Sequence, residues 1–214
     1  FPATDFVLVR SRAELDDALD LMGTPAILKN CRAGNRGHGI VTIARGDNLD
    51  EAWAKMAGPE AILETRVDFA GEISVACARA PSGETRCFPV CEVTHHRGIP
   101  VLARTPAEIP ADIAQKAQAL ALQITQSSRA VGTLTVEMFL LHDDSLVVNE
   151  IDPAPHAAGL ASIDACSSSQ FGHHILAITN RPLHKIEQKE PATTVLVLGD
   201  LWLQSPPPLD AIRA

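Results

Sequence analysis

"LVVNEIDPAPHAAGL", residues 146–160, is the stretch on which the fold turns. An apolar run delivers a carboxylate, Glu150, and a Pro-rich turn with Ala and Gly follows. The segment just before it, "VEMFLLHDDS" (136–145), is a second apolar run with one acid, Glu137. The two runs read as strands joined at Asp143-Asp144. Residues equidistant from a hairpin turn face one another. This turn therefore sets Glu137 opposite Glu150, Phe139 opposite Val148 and Leu141 opposite Leu146. Like charges directly opposed in a sheet are destabilising, and apolar neighbours add a desolvation cost. Three arrangements relieve that cost. A hard divalent cation with oxygen ligands, such as Mg²⁺ with bound phosphates, can sit between the acids. One acid can hold a proton, as in an acid–base dyad. Or the acids can lie apart at a solvated rim.

Upstream, "RAELDDALDLMG" (12–23) has apolar residues at helical spacing and a terminal Gly. "TPAILKN" (24–30) and "IVTIA" (40–44) read as strands around a Gly-rich turn, "CRAGNRGHG" (31–39). Lys29 points into that turn, where backbone N–H groups beside a Lys suit a polyphosphate; an ordinary hairpin needing glycine freedom is the plain alternative. The spacing is not that of a Walker A loop. "NLDEAWAKMAG" (48–58) is a helix capped by Asn48, and "AILETRV" (61–67) a strand. "LETRVDFAGE" (63–72) joins two lobes; its backbone groups could meet a purine edge and its acids, Glu64 and Glu72, could reach ribose hydroxyls, or it could be a plain charged connector.

From residue 70 strands dominate: "GEISVACARA", "TRCFPVCEV" and "IPVLART". A long helix spans 110–130, with Pro110 at its start. A helix over 161–180 and a strand over 193–200 follow, and then a Pro-rich linker. His95 and His156 are the candidates for a catalytic role, although a histidine in a loop is commonly a surface residue. His173 and His174 read as structural. The fold class is α+β with two lobes, 1–67 and 68–202, and a linker over 203–214.

The 214 residues carry a net charge of −8 and 46% hydrophobic residues. An acidic chain argues against general nucleic-acid binding. No apolar run is long enough for a membrane span, and no signal peptide is visible. The five cysteines are scattered and read as reduced thiols of a cytoplasmic protein.

In order, these segments resemble the ATP-grasp superfamily, and more closely the 5-(carboxyamino)imidazole ribonucleotide synthase family of purine biosynthesis. The resemblance rests on a Lys before a glycine loop, Glu-x-x-Val, a Glu eight residues on from Glu64, Glu-x-x-His, and a Val-Glu-x-Phe strand before Asn-Glu-Ile-x-Pro. "SIDACSSSQFGHHILAITNRPL" and "VLGDLW" also match that family's wording, and the similarity runs from Phe1 to about Trp202. It implies a ligase with ATP and Mg²⁺. Lys29 with the loop glycines Gly34, Gly37 and Gly39 would meet the phosphates. Glu64 to Val67 would hold adenine, Glu72 ribose, and Asn149 would also lie on the nucleotide side. Glu137 and Glu150 would carry the metal. Bicarbonate and aminoimidazole ribonucleotide would be the other substrates.

The departures are local. The family's Gly-Gly-Tyr-Asp-Gly-Lys/Arg-Gly-Gln reads Ala33 to Ile40 here. Its Arg, Asn and Ser after Asn-Glu are Ala154, Ala157 and Ala158, and the Asn of Glu-Asn-x-His is Val93 beside Glu92 and His95. The family's N-terminal domain and C-terminal segment have no counterpart in these residues; the expectation is a homodimer, or a longer chain that supplies the missing domains. Two alternatives accompany the carboxylating ligase. One is a catalytically impaired descendant serving as a nucleotide-binding or scaffold module. The other is a ligase with a changed acceptor.

Overall fold

The structure, a computed structural model, describes residues 1–32, 39–56, 58–96, 98–197 and 199. Gly34 and Gly37, most of "VLGDLW" and the linker over 203–214 lie outside these residues. The chain divides into two compact units.

The first unit holds Phe1–Glu72, Arg97–Ile99 and Val136–Ile151. It begins with β1 (Phe6–Val9), which the sequence reading passed over because only Val9 of its four residues is fully buried. Helix α1 (Arg12–Met22) follows. Ser11 caps it by accepting the Glu14 N–H at 3.1 Å, and Glu14 accepts the Arg10 N–H at 2.8 Å. Gly23, at φ 78°, ends it by donating to Leu19 O at 2.8 Å. Strands β2 (Ala26–Asn30) and β3 (Ile40–Ile43), helix α2 (Leu49–Ala54) and strand β4 (Ala61–Thr65) complete the segment. The strands form an antiparallel sheet of order β1-β4-β2-β3. Alternation in β2 and β4 buries Ala26, Leu28, Ala61 and Leu63 against Leu15 of α1. It turns Ile27, Lys29, Ile62 and Glu64 to the other face.

The acidic hairpin belongs to this unit. Its strands are the end of β9 (Gly132–Leu140) and β10 (Leu146–Asp152). The N-terminal lobe was expected to stop at residue 67, but residues 136–151 group with it. Three contacts account for this. Val148 N donates to Pro2 O at 2.9 Å, Ala70 N donates to Leu140 O at 2.8 Å, and Phe69 stacks on Phe139 with centroids 4.5 Å apart.

The second unit holds Ile73–His96, Pro100–Thr135 and the chain from Asp152 on. Its elements are β5 (Gly71–Arg79), β6 (Thr85–Cys87), β7 (Cys91–His96), β8 (Ile99–Thr105), α3 (Ala111–Ser128), a 3-10 turn (Ala157–Gly159), α4 (Ser162–Ala165), α5 (Gln170–Ile178) and β11 (Ala192–Val195). The second sheet has the order β10-β9-β5-β7-β8-β11, with β6 paired to β5. Strand β5 is buried on both faces from Ile73 to Ala78. Ala78 packs with Ala177 and Leu183, and Ala76 with Phe88 and Cys166. The long helix expected over 110–130 is α3, and it buries Ile113, Ala117, Ala121 and Ile124 at helical spacing.

Two expected elements are divided. The helix over 161–180 is α4 and α5, because Cys166 is extended and bridges Gln188, and Ser169 starts a new helix by accepting the Gly172 N–H. The strand over 85–93 is β6 and β7 with Pro89 between them, as a residue lacking an N–H interrupts a ladder. No helix among the described residues is long and apolar enough to cross a membrane.

Candidate functional site

Lys29 lies near the end of β2, and its register partner in β4 is Ile62, with Glu64 opposite Ile27. Lys29 and Glu64 are therefore diagonal neighbours on one face. Lys29 Nζ lies 2.7 Å from Glu64 Oε2 and donates to Asn149 Oδ1 at 3.2 Å. The side chains of Lys29 and Glu64 are 22% and 12% exposed, so the pair is screened less than a surface one. A cation, a carboxylate and an amide thus converge within the first unit. The link from Lys29 to Asn149 was not foreseen; 120 residues separate them, and only the docked hairpin brings them together.

The hairpin's register differs from the expected one. Leu141 N donates to Ser145 O at 2.9 Å, Asp144 N to Leu141 O at 3.1 Å, and Asp144 sits at φ 65°. The loop therefore has three residues, 142–144, and a left-handed Asp144 takes up the extra one. Leu141 faces Ser145, not Leu146. A ladder continued from that pair sets Met138 opposite Val148, both buried, and Glu137 opposite Asn149. The direct opposition of Glu137 and Glu150 is thus corrected by one position. Glu137 keeps an oxygen shielded from solvent, while Glu150 is exposed.

The donor chemistry suits a hard cation: carboxylate and amide oxygens, with no thiol or imidazole among Glu137, Asn149 and Glu150. No group of three or more His, Cys, Asp or Glu that could hold a metal occurs among the described residues. A Mg²⁺ here would need oxygens from elsewhere, which is the usual arrangement when phosphates complete its shell.

The other expected residues are placed as follows. Gly39 is at φ 72°, and a Cβ there would run into the Asn30 side chain. Asn30 N donates to Gly39 O at 2.8 Å, closing the base of the turn. Val67 and Glu72 flank the connector that Ala70 and Phe69 pin to β9. His95 is on β7 in the second unit, with its Nδ1 shielded from solvent.

His156 is held by the backbone around it. It caps the 3-10 turn by accepting the Ala158 N–H at 3.4 Å, and its Nε2 lies 3.7 Å from Asp152 Oδ2. The loop of small residues is fixed from beneath by a buried polar network. Gln170, fully buried, accepts the His156 N–H at 3.0 Å and donates to His156 O at 2.6 Å. Ser162 Oγ donates to Gly159 O at 2.5 Å and accepts the Gln170 N–H at 3.0 Å. Thr135 Oγ1 donates to Ala154 O at 3.2 Å. Glycine at 159 is required by close approach, since a Cβ would lie 2.6 Å from Gln170 Oε1. Gln170 and Ser162 were missed as supports of this loop; a buried Gln beside "SSS" was the available signal. The loop also bounds a small hollow of about 20 Å³, lined on its other side by Ser74, Phe88 and Cys91.

These features define a class of protein. A family model described as the ATP-grasp domain matches residues 1–171, and the chain belongs to that family. Within it, the chain is 38% identical over 195 residues to the N5-carboxyaminoimidazole ribonucleotide synthase of Bacillus subtilis, covering 91% of this chain and 51% of that protein. The Staphylococcus aureus N5-carboxyaminoimidazole synthetase, solved with ADP, superposes with TM-score 0.85 at 34% identity, over 95% of this chain and 54% of that one. The Aspergillus clavatus N5-carboxyaminoimidazole synthase, solved with ADP and 5-aminoimidazole ribonucleotide, superposes with TM-score 0.82 at 27% identity, over 91% and 52%. The chain spans about half the length of the relatives it matches.

Proposed function

We propose that this chain is the ATP-binding core of an N5-carboxyaminoimidazole ribonucleotide synthase acting in purine biosynthesis. The observation that carries the reading is the meeting of Lys29, Glu64 and Asn149 beside the acidic hairpin of the first unit. On this reading Lys29 binds ATP phosphate oxygens, with the turn closed by Gly39 beside it. Residues Glu64 to Val67 line the adenine and Glu72 the ribose. Glu137 and Glu150, with the Asn149 amide beside them, would hold Mg²⁺, which would neutralise phosphate charge there.

A bicarbonate oxygen attacks the γ-phosphorus and the bond to the β-phosphate oxygen breaks, releasing ADP and leaving carboxyphosphate. The exocyclic amine of aminoimidazole ribonucleotide then attacks the carboxyl carbon, phosphate departs, and the amine loses a proton. His95 and His156 are the candidate groups for that proton, and Asp152 orients His156. Phosphoryl transfer depends mainly on positioning and charge stabilisation. A Lys held between a carboxylate and an amide is already oriented when nucleotide arrives.

The test is Mg·ATP binding by calorimetry on the wild type and Lys29→Met, with circular dichroism as the control for folding. A hydrogen bond to a charged group is worth about 1.5–3 kcal/mol, so Lys29→Met should weaken binding roughly ten- to a hundredfold. Equal affinity in a folded variant would remove the basis of the proposal.

A further inference from the structure

Strands β5 and β6 bring two thiols face to face in the second unit. The register sets Cys77 opposite Cys87, Ala78 opposite Arg86 and Arg79 opposite Thr85. Phe88 N donates to Ala76 O at 2.8 Å, and Ala80 N to Glu84 O at 2.9 Å. These mark 76/88 and 80/84 as hydrogen-bonded pairs. Alternation along an antiparallel ladder makes 78/86 a third, and 77/87 a non-hydrogen-bonded pair. In such pairs the Cα atoms stand about 4.5 Å apart and the side chains lie closest. That spacing falls within the range of roughly 4.4–6.8 Å that a disulfide spans.

Two further observations agree. The two cysteines are not bonded to each other in the structure, and each thiol is the largest influence on the other's ionisation. The loop that joins the strands is tight: Gly83 N donates to Ala80 O at 2.9 Å with Gly83 at φ 91°, so the register cannot slip without breaking the turn.

We propose that Cys77 and Cys87 form an oxidative modification site that closes to a cross-strand disulfide when the protein meets a hydroperoxide. The roles follow from exposure. Cys87 is partly accessible and Cys77 is fully buried. The Cys87 thiol is held below its ordinary range by the Cys77 thiol beside it, while Cys77 is pushed up by the same contact and by burial. The Cys87 thiol gives up its proton, its thiolate attacks a peroxide oxygen, the O–O bond breaks, and a sulfenic acid forms while the departing hydroxide takes up that proton and leaves as water. The Cys77 sulfur then attacks the sulfenic sulfur, the S–O bond breaks, and a second water leaves with the Cys77 proton. One hydrogen peroxide is reduced to two waters and two thiols are oxidised to one disulfide.

The full chain is treated with equimolar hydrogen peroxide at neutral pH, alkylated and digested with trypsin. Arg79 and Arg86 separate the two cysteines into different peptides, while Cys91 shares a peptide with Cys87, so fragmentation spectra assign the sulfur involved. The expected result is a dithiothreitol-reversible link between Cys77 and Cys87 in monomeric protein, with the native circular dichroism retained. Cys87→Ser should abolish it, and Cys31→Ser, at an exposed position, should leave it unchanged. Cys87 carried to sulfinic acid with Cys77 still alkylatable would overturn the proposal. So would a link from Cys87 to any other cysteine, or folded protein with neither thiol modified. Because the linked peptide is read on the wild type, a variant that fails to fold does not spoil the test.

Discussion

Three side chains decide most of what the first unit can do, and each has a measurable signature. Lys29 is committed to Glu64 and Asn149 before any nucleotide is present. Glu137 and Glu150 are not directly opposed, so the repulsion between them is weaker than between two facing acids, and the exposure of Glu150 screens it further. Glu150→Gln should therefore change stability in the absence of ligands by no more than about 0.5 kcal/mol, while weakening Mg²⁺-dependent ATP binding by about tenfold or more. Denaturant melts and calorimetry on the same variant check both; a clear stabilisation would restore the picture of two facing acids. In the second unit, burial pushes the Cys91 thiol from 9.0 up to about 12. Below pH 9 folded and unfolded chains both keep this proton. Above it the unfolded thiol ionises while the folded one does not, so stability falls as pH rises until about pH 12. The slope from this one group reaches about 1.4 kcal/mol per pH unit. Urea melts at a series of pH values from neutral to mildly alkaline should show Cys91→Ala losing stability less steeply than the wild type. Parallel slopes would mean that the thiol is not shielded.

Among the elements, two hairpin loops have the same shape and different chemistry at the strained position. The β5–β6 loop has Gly83 at φ 91°, and the β9–β10 loop has Asp144 at φ 65°. Helix α3 ends in a third left-handed residue, Arg129, at φ 55°. A non-glycine residue there costs roughly 1 kcal/mol, and glycine relieves it. The Arg129 carbonyl that accepts from Arg79 Nη1 is backbone and survives the change. Arg129→Gly should raise stability by about 1 kcal/mol, or about 2–4 °C in melting temperature for a chain of this size; an unchanged or lower midpoint would argue against strain. The same loops show where sequence reading succeeds and where it stops. Helix α1, capped by Ser11 and closed by Gly23, and the β2–β3 hairpin were legible because period and punctuation agree. Strand β1 was not, because one buried valine in four residues leaves no pattern. The β9–β10 register was displaced by one residue because Asp-Asp reads as a two-residue turn, and nothing local reveals that Asp144 adopts positive φ. Lys29, Glu64 and the two hairpin acids stood out as charges within apolar strand runs. Gln170 did not, since its role depends on a loop packed over it from 14 residues away.

For the molecule as a whole, the residues assigned to nucleotide and metal are concentrated in one unit. Lys29, Gly39, Glu64, Val67, Glu72, Glu137, Asn149 and Glu150 all fall within Phe1–Glu72 or Val136–Ile151. A ligand that binds only the folded state stabilises it by mass action, and local opening is suppressed most where the ligand sits. Hydrogen exchange with millimolar Mg·ATP should therefore slow chiefly in β2, β4, the connector to Glu72, and β10, with a smaller effect in α3 and α5. Protection confined to the second unit would place the nucleotide elsewhere. On the proposed assignment the nucleotide residues and the three alanines of the His156 loop fall in different units: Ala154, Ala157 and Ala158 belong to the second, where the loop is shaped by Gln170, Ser162 and Thr135.

The opening residues have a practical bearing. Pro2 O receives the Val148 N–H, and Ala3 forms a parallel bridge with Val148, one position from Asn149 and two from Glu150. The first residues are thus an edge lying alongside the acidic strand. Because that bridge is parallel, the chain before Ala3 runs towards Leu146 and the hairpin loop, away from Glu150; a polyhistidine handle fused to Phe1 would emerge on that side and would still bring its own metal-binding groups into any titration with divalent ions. Removing such a handle, or spacing it away with a flexible linker, is the sounder preparation for every binding measurement described above.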